Sequence, residues 1–329
     1  MTRTHHRLGA TTIPCYGLDL YCPFPLAVHP EAASVEEHLV AWERRFSLTS
    51  GVMAKKRFEQ ARLGRLAACM NPVSRSLAVD AEWVAWGVLL DDMFDDGDPP
   101  ISVAEAREIK RELLAVVPID PEPTPGAELG LAAALGDLWC RVAPAAPLSW
   151  RTRFVRDLGD TLDSLAEGIA DWSSGTPPSV EACLLLRRRC SGIAPTLDLI
   201  EVTAATALPE EVVETAEFRS LRNAVNDVVC VTNDVFSLSK DLAQGEMKNI
   251  VIAMRHAERL DLAEAVDRAV RLVARRTHDF ERAERDLSAV AGRTWDQVER
   301  VVESMRYFMS GCLDWHRTTS ERYSGVGQW

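Results

Sequence analysis

The chain has 329 residues, 47% of them hydrophobic and 26% charged, with a formal net charge of −12. That is enough chain for one large domain with a sizeable core, or for two ordinary ones, in a composition ordinary for a soluble globular protein. The acidic balance excludes a nucleic-acid partner, which wants a basic field, and with no apolar run of 18 residues no transmembrane helix or membrane partner is expected.

Residues 1–30 contain Pro14, Pro23, Pro25 and Pro30 without periodicity and read as an irregular arm; the opening MTRTHHRLGATTIP has no apolar segment of a signal peptide. From 31 to 329 the chain reads as one helical domain. A first helix is expected near 31–47, carrying Val35, Leu39 and Trp42. A second covers 54–69 and stops before Asn71-Pro72, and a third runs from 75 to Asp95, ending at Gly97-Asp98-Pro99-Pro100. Helices at 102–116, 127–142 and 148–172 follow, separated by proline-rich breaks; the link 97–126, with six prolines, is expected to be mobile. Across 260–290, Leu262, Val266, Val270, Val273, Thr277, Phe280 and Leu287 recur at helical spacing. Strand-like alternation is missing, so the fold class is all-α: a single-domain antiparallel helical bundle. The eight cysteines contain no C-x-x-C pair and read as reduced thiols of a cytosolic protein.

Two acidic clusters carry the chemistry. The first is Asp91-Asp92-Met93-Phe94-Asp95-Asp96, in which Asp91 and Asp95 lie one helical turn apart. It falls at a helix C-terminus, where the dipole prefers cations, so the aspartates there call for a compensating cation. A calcium loop starting at Asp92 fails, because Phe94 takes its third position and Val103 its twelfth. The second cluster places Asn233, Ser237 and Asp241 at i, i+4, i+8 on one helix face. Both are sets of hard oxygen donors of the kind magnesium takes. Turned toward each other, they make a cage for several magnesium ions with an anionic group between: a diphosphate site. Metal ions reverse the local sign of an acidic protein, so an anionic substrate is no contradiction.

Two further features stand on residue chemistry alone. Pro195 has no amide hydrogen, so a helix running through it leaves the Ser191 carbonyl without a donor, and Gly192 eases the break. Arg187, Arg188 and Arg189 are consecutive and fan out, so only one can point inward. Trp83, Trp86, Phe94, Phe308 and Trp315 are candidates to line a cavity and stabilise cations through their ring faces, although core packing is the commoner role of such residues.

The two clusters also carry a resemblance. The chain resembles the bacterial class I terpene synthases, whose motifs are D-D-x-x-D and N-D-x-x-S-x-x-K-E; here the second reads Asn233-Asp234-Val235-Phe236-Ser237-Leu238-Ser239-Lys240-Asp241, with Asp241 in place of the glutamate. CPFPLAVHP, PSVEACLLLRRRCSG and LDWHRTTSERY resemble three other family segments in the same order. The resemblance implies a helical bundle around an apolar cavity and a magnesium-dependent cyclase with three ions. Asp91, Asp95, Asn233, Ser237 and Asp241 would be the ligands, and Asp96 can take the place of Asp95. It implies Arg187 as the diphosphate-sensing arginine and Ser191 as the residue whose carbonyl faces the nascent cation. Lys240, Arg322 and Tyr323 would be further diphosphate contacts. Cys190 departs from the usual linker between sensor and effector, and Gly87 and Val88 stand where aromatics are frequent. The implied substrate is a linear isoprenyl diphosphate, farnesyl first, with geranylgeranyl as the alternative. A homodimer is allowed. The rivals are a chain-elongating prenyltransferase, which needs a second D-D-x-x-D where Asn233 and Ser237 stand, a helical metal-storage bundle and a non-catalytic scaffold. A di-iron site needs Glu-x-x-His, which is absent.

Overall fold

The computed structural model describes residues 18–95, 101–120, 128–171, 177–204 and 207–319. Among them there is no strand. The helices are α1 (Ala32–Phe46), α2 (Gly51–Gln60), α3 (Leu63–Met70), α4 (Leu77–Asp95), α5 (Val103–Ala115), α6 (Gly130–Val142), α7 (Leu148–Asp171), α8 (Val180–Cys190), α9 (Ile193–Thr203), α10 (Glu210–Val213), α11 (Ala216–Gln244), α12 (Ile250–Glu258), α13 (Leu262–Ala291) and α14 (Trp295–Thr318). Their apolar faces form one continuous core. No described helix is long and apolar enough to cross a membrane. Parts of the proline-rich link lie outside the described residues; its middle is α5, closed by a capping box in which Ser102 and Glu105 satisfy each other's backbone N–H.

One expected helix is two. The stretch read as 54–69 breaks at Arg62, which is left-handed at φ 51°, between α2 and α3. The two pieces have different environments. On α2 only Phe58 is buried, whereas Leu63, Leu66, Ala67, Ala68, Cys69 and Met70 of α3 are all buried against α1, α4 and α14. A straight helix cannot serve both, so the chain re-aims at the junction. The crossing of α3 and α14 is close enough to need a glycine: a Cβ on Gly311 would lie 2.5 Å from the Cys69 carbonyl carbon. Larger residues there would push α14 away from the bundle, together with the side chains that its last turns carry.

The arm from 18 to 30 is irregular but attached. Phe24 meets Phe280 edge-to-face at 5.4 Å, and Ser310 donates to the Pro25 carbonyl at 2.8 Å. On the opposite flank, α4, α6 and α7 share an aromatic cluster of Trp83, Trp86, Trp139, Trp150 and Phe154. Each of its indole N–H groups has an acceptor, as buried tryptophans require. Between α7, α9 and α11 runs a buried ion network in which Arg153 and Arg222 share Asp198.

Candidate functional site

Helix α4 packs on α1, α3, α6 and α9, while α11 packs chiefly on α13 and α14 and also touches α9, so the two helices bearing the acidic clusters share α9 as a neighbour without packing on each other, and Asp91 and Asp234 both act on the Arg187 charge. Trp83, Trp86, Leu90 and Phe94 of α4 are buried in the core. The stripe one step round the helix, Val84, Gly87 and Val88, is only partly covered and leads up to the exposed Asp91. A Cβ built on Gly87 meets no heavy atom within 4 Å, so open space lies beside it.

The three consecutive arginines of α8 part company. Arg187 turns to α11: its Nη2 lies 2.8 Å from Asp234 Oδ1 and donates to Asn233 Oδ1 at 3.1 Å. Arg188 makes a two-pronged pair with Asp227, both distances 2.7 Å, and Arg189 pairs with the half-exposed Glu167. Burial works to lower the Arg187 guanidinium's pKa, and the fields of Asp234, Cys230, Cys190 and Asp91 together more than offset it, holding the group well above its ordinary value. Burial pushes the Asp234 carboxyl up to about 7, opposed by Arg187 and by the Ile250 N–H. The Nε of Arg187 is buried without an acceptor among the described residues. A strong donor left over in a pocket of acids and hydroxyls suits an anion brought in from outside.

The face of α11 runs as one helix through Asn233, Ser237 and Asp241 and ends at Gly245, whose φ of 74° only glycine adopts freely. The turn that follows brings Asn249, 1% exposed, back against the end of α11. Its Nδ2 donates to Asp241 Oδ2 at 2.8 Å and to the Asp234 carbonyl at 2.7 Å, while its Oδ1 caps α12 through Val251 and Ile252. Ser237 Oγ donates to the same Asp241 Oδ2 at 2.6 Å. Burial raises the Asp241 pKa, and the Ser237 and Asn249 hydrogen bonds oppose it.

This donor set fits a small hard cation. Cis oxygens of an octahedral magnesium ion lie about 2.9 Å apart, from ligand distances near 2.1 Å. The Ser237 and Asp241 oxygens already stand at 2.6 Å. The shorter aspartate arm therefore reaches the flank of Ser237, where Asn249 holds it. Lys240 is half-buried two turns after Asn233 on the same helix.

The chain breaks where Pro195 and Gly192 announce it: α8 ends at Cys190, Gly192 is left-handed at φ 68°, and α9 starts at Ile193 with Pro195 in its first turn. No backbone donor reaches the Ser191 carbonyl among the described residues. The Ser191 hydroxyl bonds Asn226 of α11 at 3.3 Å, which fastens the break to the same helix as the acidic face. The five aromatic candidates are all buried. Trp83 donates to Thr196 of α9, Trp86 to the Leu131 carbonyl of α6, and Trp315 to the Ala61 carbonyl between α2 and α3. Asp96, Arg322 and Tyr323 lie outside the described residues, as does the side chain of Asp95.

Three residues at the site were not singled out by motif reasoning: Asp234, the partner of Arg187; Asn249, which holds Asp241; and His316, which touches Asn233. A signal existed for Asn249, an asparagine before the apolar run Ile250-Val251-Ile252, as a helix cap. Its second contact is tertiary and left no local trace. A cleft of about 1290 Å³ lies elsewhere, between α7, α9 and the first half of α11, and holds neither acidic cluster. Arg153, Arg188 and Arg222 on its wall are paired with acids.

Residues 82–279 match the family model described as terpene synthase family 2, C-terminal metal binding. Pristinol synthase of Streptomyces pristinaespiralis is 32% identical over 93% of this chain and 84% of its own length. The (−)-β-caryophyllene synthase of Saccharothrix espanaensis, named as cyclizing (2E,6E)-farnesyl diphosphate, is 30% identical over 92% of this chain and 88% of its own. In fold, the chain superposes on the linalool/nerolidol synthase of Streptomyces clavuligerus with a TM-score of 0.79, at 24% identity, covering 88% of this chain and 100% of that one.

Proposed function

We propose that this chain, which belongs to the terpene synthase family and is a lyase acting on a diphosphate, cyclises a linear isoprenyl diphosphate, farnesyl diphosphate first, with magnesium. The observation that carries the reading is Arg187: a buried guanidinium between Asp234 and Asn233, with one donor left over, beside the Ser237–Asp241 oxygen pair. The farnesyl diphosphate cyclised by the β-caryophyllene synthase relative supports the farnesyl chain. In this reading Asp91 and Asp95 on one side, and Asn233, Ser237 and Asp241 on the other, hold the ions, three as the resemblance implies. Bound there, the ions would supply Lewis-acid neutralisation of the charge that develops on the departing diphosphate.

The protein's own part follows from chemistry. The allylic C–O bond breaks heterolytically and its electron pair leaves with the diphosphate. Arg187, with Lys240, Arg322 and Tyr323, stabilises that leaving group where its charge grows. The Ser191 carbonyl, free of a helical donor because of Pro195, turns its negative end to the allylic cation. The cavity excludes water and folds the chain so that an internal double bond attacks the cation and closes the ring. A proton then leaves to a base, for which diphosphate is available, or water adds. Trp83, Phe94 and Phe308 with Val84 and Val88 form the wall; Trp86 and Trp315, tied to backbone carbonyls, serve packing. The reading places the enzyme in the cytosol, where its seven described cysteines stay as thiols.

Geranylgeranyl diphosphate is the second reading, favoured by the open space beside Gly87. Incubation with geranyl, farnesyl and geranylgeranyl diphosphates and magnesium, followed by mass spectrometry of the extract, tests both. A cyclic C15 product from the farnesyl substrate supports the first, and a cyclic C20 product alone supports the second. Chain-elongated diphosphates, or no turnover of any of the three, would overturn both.

A further inference from the structure

We propose that His316 is a positioning residue that fixes the side-chain amide of Asn233, so that its oxygen faces Arg187 and the ion site. The inference rests on the reading of Asn233 as a ligand. His316 sits on α14 and is 4% exposed, wedged between Phe236 of α11 and its neighbour Trp315. Its Nδ1 is 2.7 Å from the Cys312 carbonyl. A carbonyl only accepts, so Nδ1 carries the hydrogen. Its Nε2 is 3.2 Å from Asn233 Nδ2, which only donates, so Nε2 presents its lone pair. The carbonyl of Cys312 thereby selects the tautomer, and the tautomer selects the rotation of the Asn233 amide.

The other end of that amide agrees. Asn233 Oδ1 accepts from Arg187 Nη2 at 3.1 Å. Were the amide turned over, its NH2 would face the guanidinium, donor against donor. Its oxygen would face the Nε2 lone pair, acceptor against acceptor. Both contacts turn repulsive together, so the rotamer is set from two sides. Asparagine is a weaker choice of ligand than a carboxylate because half of its rotations present NH2 to the cation. A histidine on another helix removes the wrong half before any ion arrives. Loss of such a supporting partner typically costs about 10–100-fold in metal affinity. The chain Cys312–His316–Asn233–Arg187 also ties α14 to α11 and α8, so the placement of α14 by Gly311 bears on the site.

The test compares His316→Phe, His316→Asn and His316→Gln with Asn233→Ala. The readout is the magnesium concentration at which inorganic diphosphate raises the melting temperature, with the melting temperature of each metal-free protein measured alongside. Phenylalanine keeps the aromatic packing without an acceptor, asparagine keeps a donor for the Cys312 carbonyl but does not reach Asn233, and glutamine reaches it with an acceptor oxygen. The expected result is a rise of about tenfold in the magnesium midpoint for the Phe and Asn variants, with the Gln variant near wild type. A purely structural role lowers the metal-free melting temperature and leaves the midpoint where it was. If the Phe variant does not fold, the Asn and Gln variants decide. Wild-type midpoints for the Phe and Asn variants, or a Gln variant as poor as they are, would overturn the proposal while Asn233→Ala still shifts the midpoint. An unshifted Asn233→Ala would instead overturn the reading of Asn233 as a ligand.

Discussion

Asn249 does two jobs that substitution can separate. Its oxygen caps α12 through the Val251 and Ile252 N–H groups, and its nitrogen holds the Asp241 carboxylate and the Asp234 carbonyl. Asn249→Ser keeps a capping oxygen and removes both Nδ2 contacts. A buried hydrogen bond to a charged acceptor contributes roughly 1.5–3 kcal/mol and a neutral one about 1 kcal/mol, so the Ser variant should lose about 3 kcal/mol. Asn249→Ala loses the cap as well, a further ~1 kcal/mol. Urea midpoints should therefore fall in the order wild type, Ser, Ala. Freed of Asn249, Asp241 keeps Ser237 as its side-chain hydrogen-bond partner among the described residues, and in the proposed reading the magnesium requirement for turnover rises about tenfold in both variants. A Ser variant within about 0.5 kcal/mol of wild type, the range of neutral surface changes, with an unchanged magnesium requirement, would refute the reasoning.

Three further outcomes are expected. Arg187→Ala should abolish turnover and Arg189→Ala should leave it near wild type, since Arg189 pairs with the half-exposed Glu167 at the surface; equal initial rates for the two variants would contradict this. Asp80 is buried among Asn71, Ser74 and Thr203 hydrogen bonds, and burial lifts its pKa from 3.8 to about 7. The folded state thus holds a proton that the unfolded chain has released, and this group's contribution to stability is lost as pH rises from about 4 through 7. Asp80→Asn should gain on wild type by about 2.7 kcal/mol between pH 5 and pH 8 in urea denaturation, and a difference that does not grow with pH would count against it. Gly87→Ala should stabilise the fold through helix propensity by about 0.5–1 kcal/mol, and so raise the melting temperature, because its Cβ meets nothing. Gly87→Phe should cut turnover of the longest accepted diphosphate more than that of shorter ones, which competition assays would show.

The parts legible in the sequence were those with local causes. The i, i+4, i+8 stripe of Asn233, Ser237 and Asp241 is a property of one helix, and α11 does run unbroken through it. The Ser191–Gly192 break follows from Pro195 and a permissive glycine, and it occurs there. That only one of three neighbouring arginines can share a given face follows from helix geometry. Which one turns to Asn233 depends on Asp227 and Glu167, whose places beside Arg188 and Arg189 come from packing between helices. The break at Arg62 was invisible because its cause is the burial of α3 against α14, far along the chain. Asp234 stood inside the second motif, yet its partner Arg187 comes from another helix. His316 reaches Asn233 across 83 residues, and nothing local distinguishes it from a core histidine.

The central claim is that the two acidic faces and Arg187 bind one diphosphate through divalent ions. A crystal structure of the full chain with manganese and inorganic diphosphate, read by anomalous scattering, tests it most directly. The account predicts anomalous peaks against Asp91 on α4 and against Asn233, Ser237 and Asp241 on α11, with the diphosphate between them and a guanidinium nitrogen of Arg187 on one of its oxygens. Peaks away from both faces, or a diphosphate seated in the arginine-lined cleft beside α7, would contradict it.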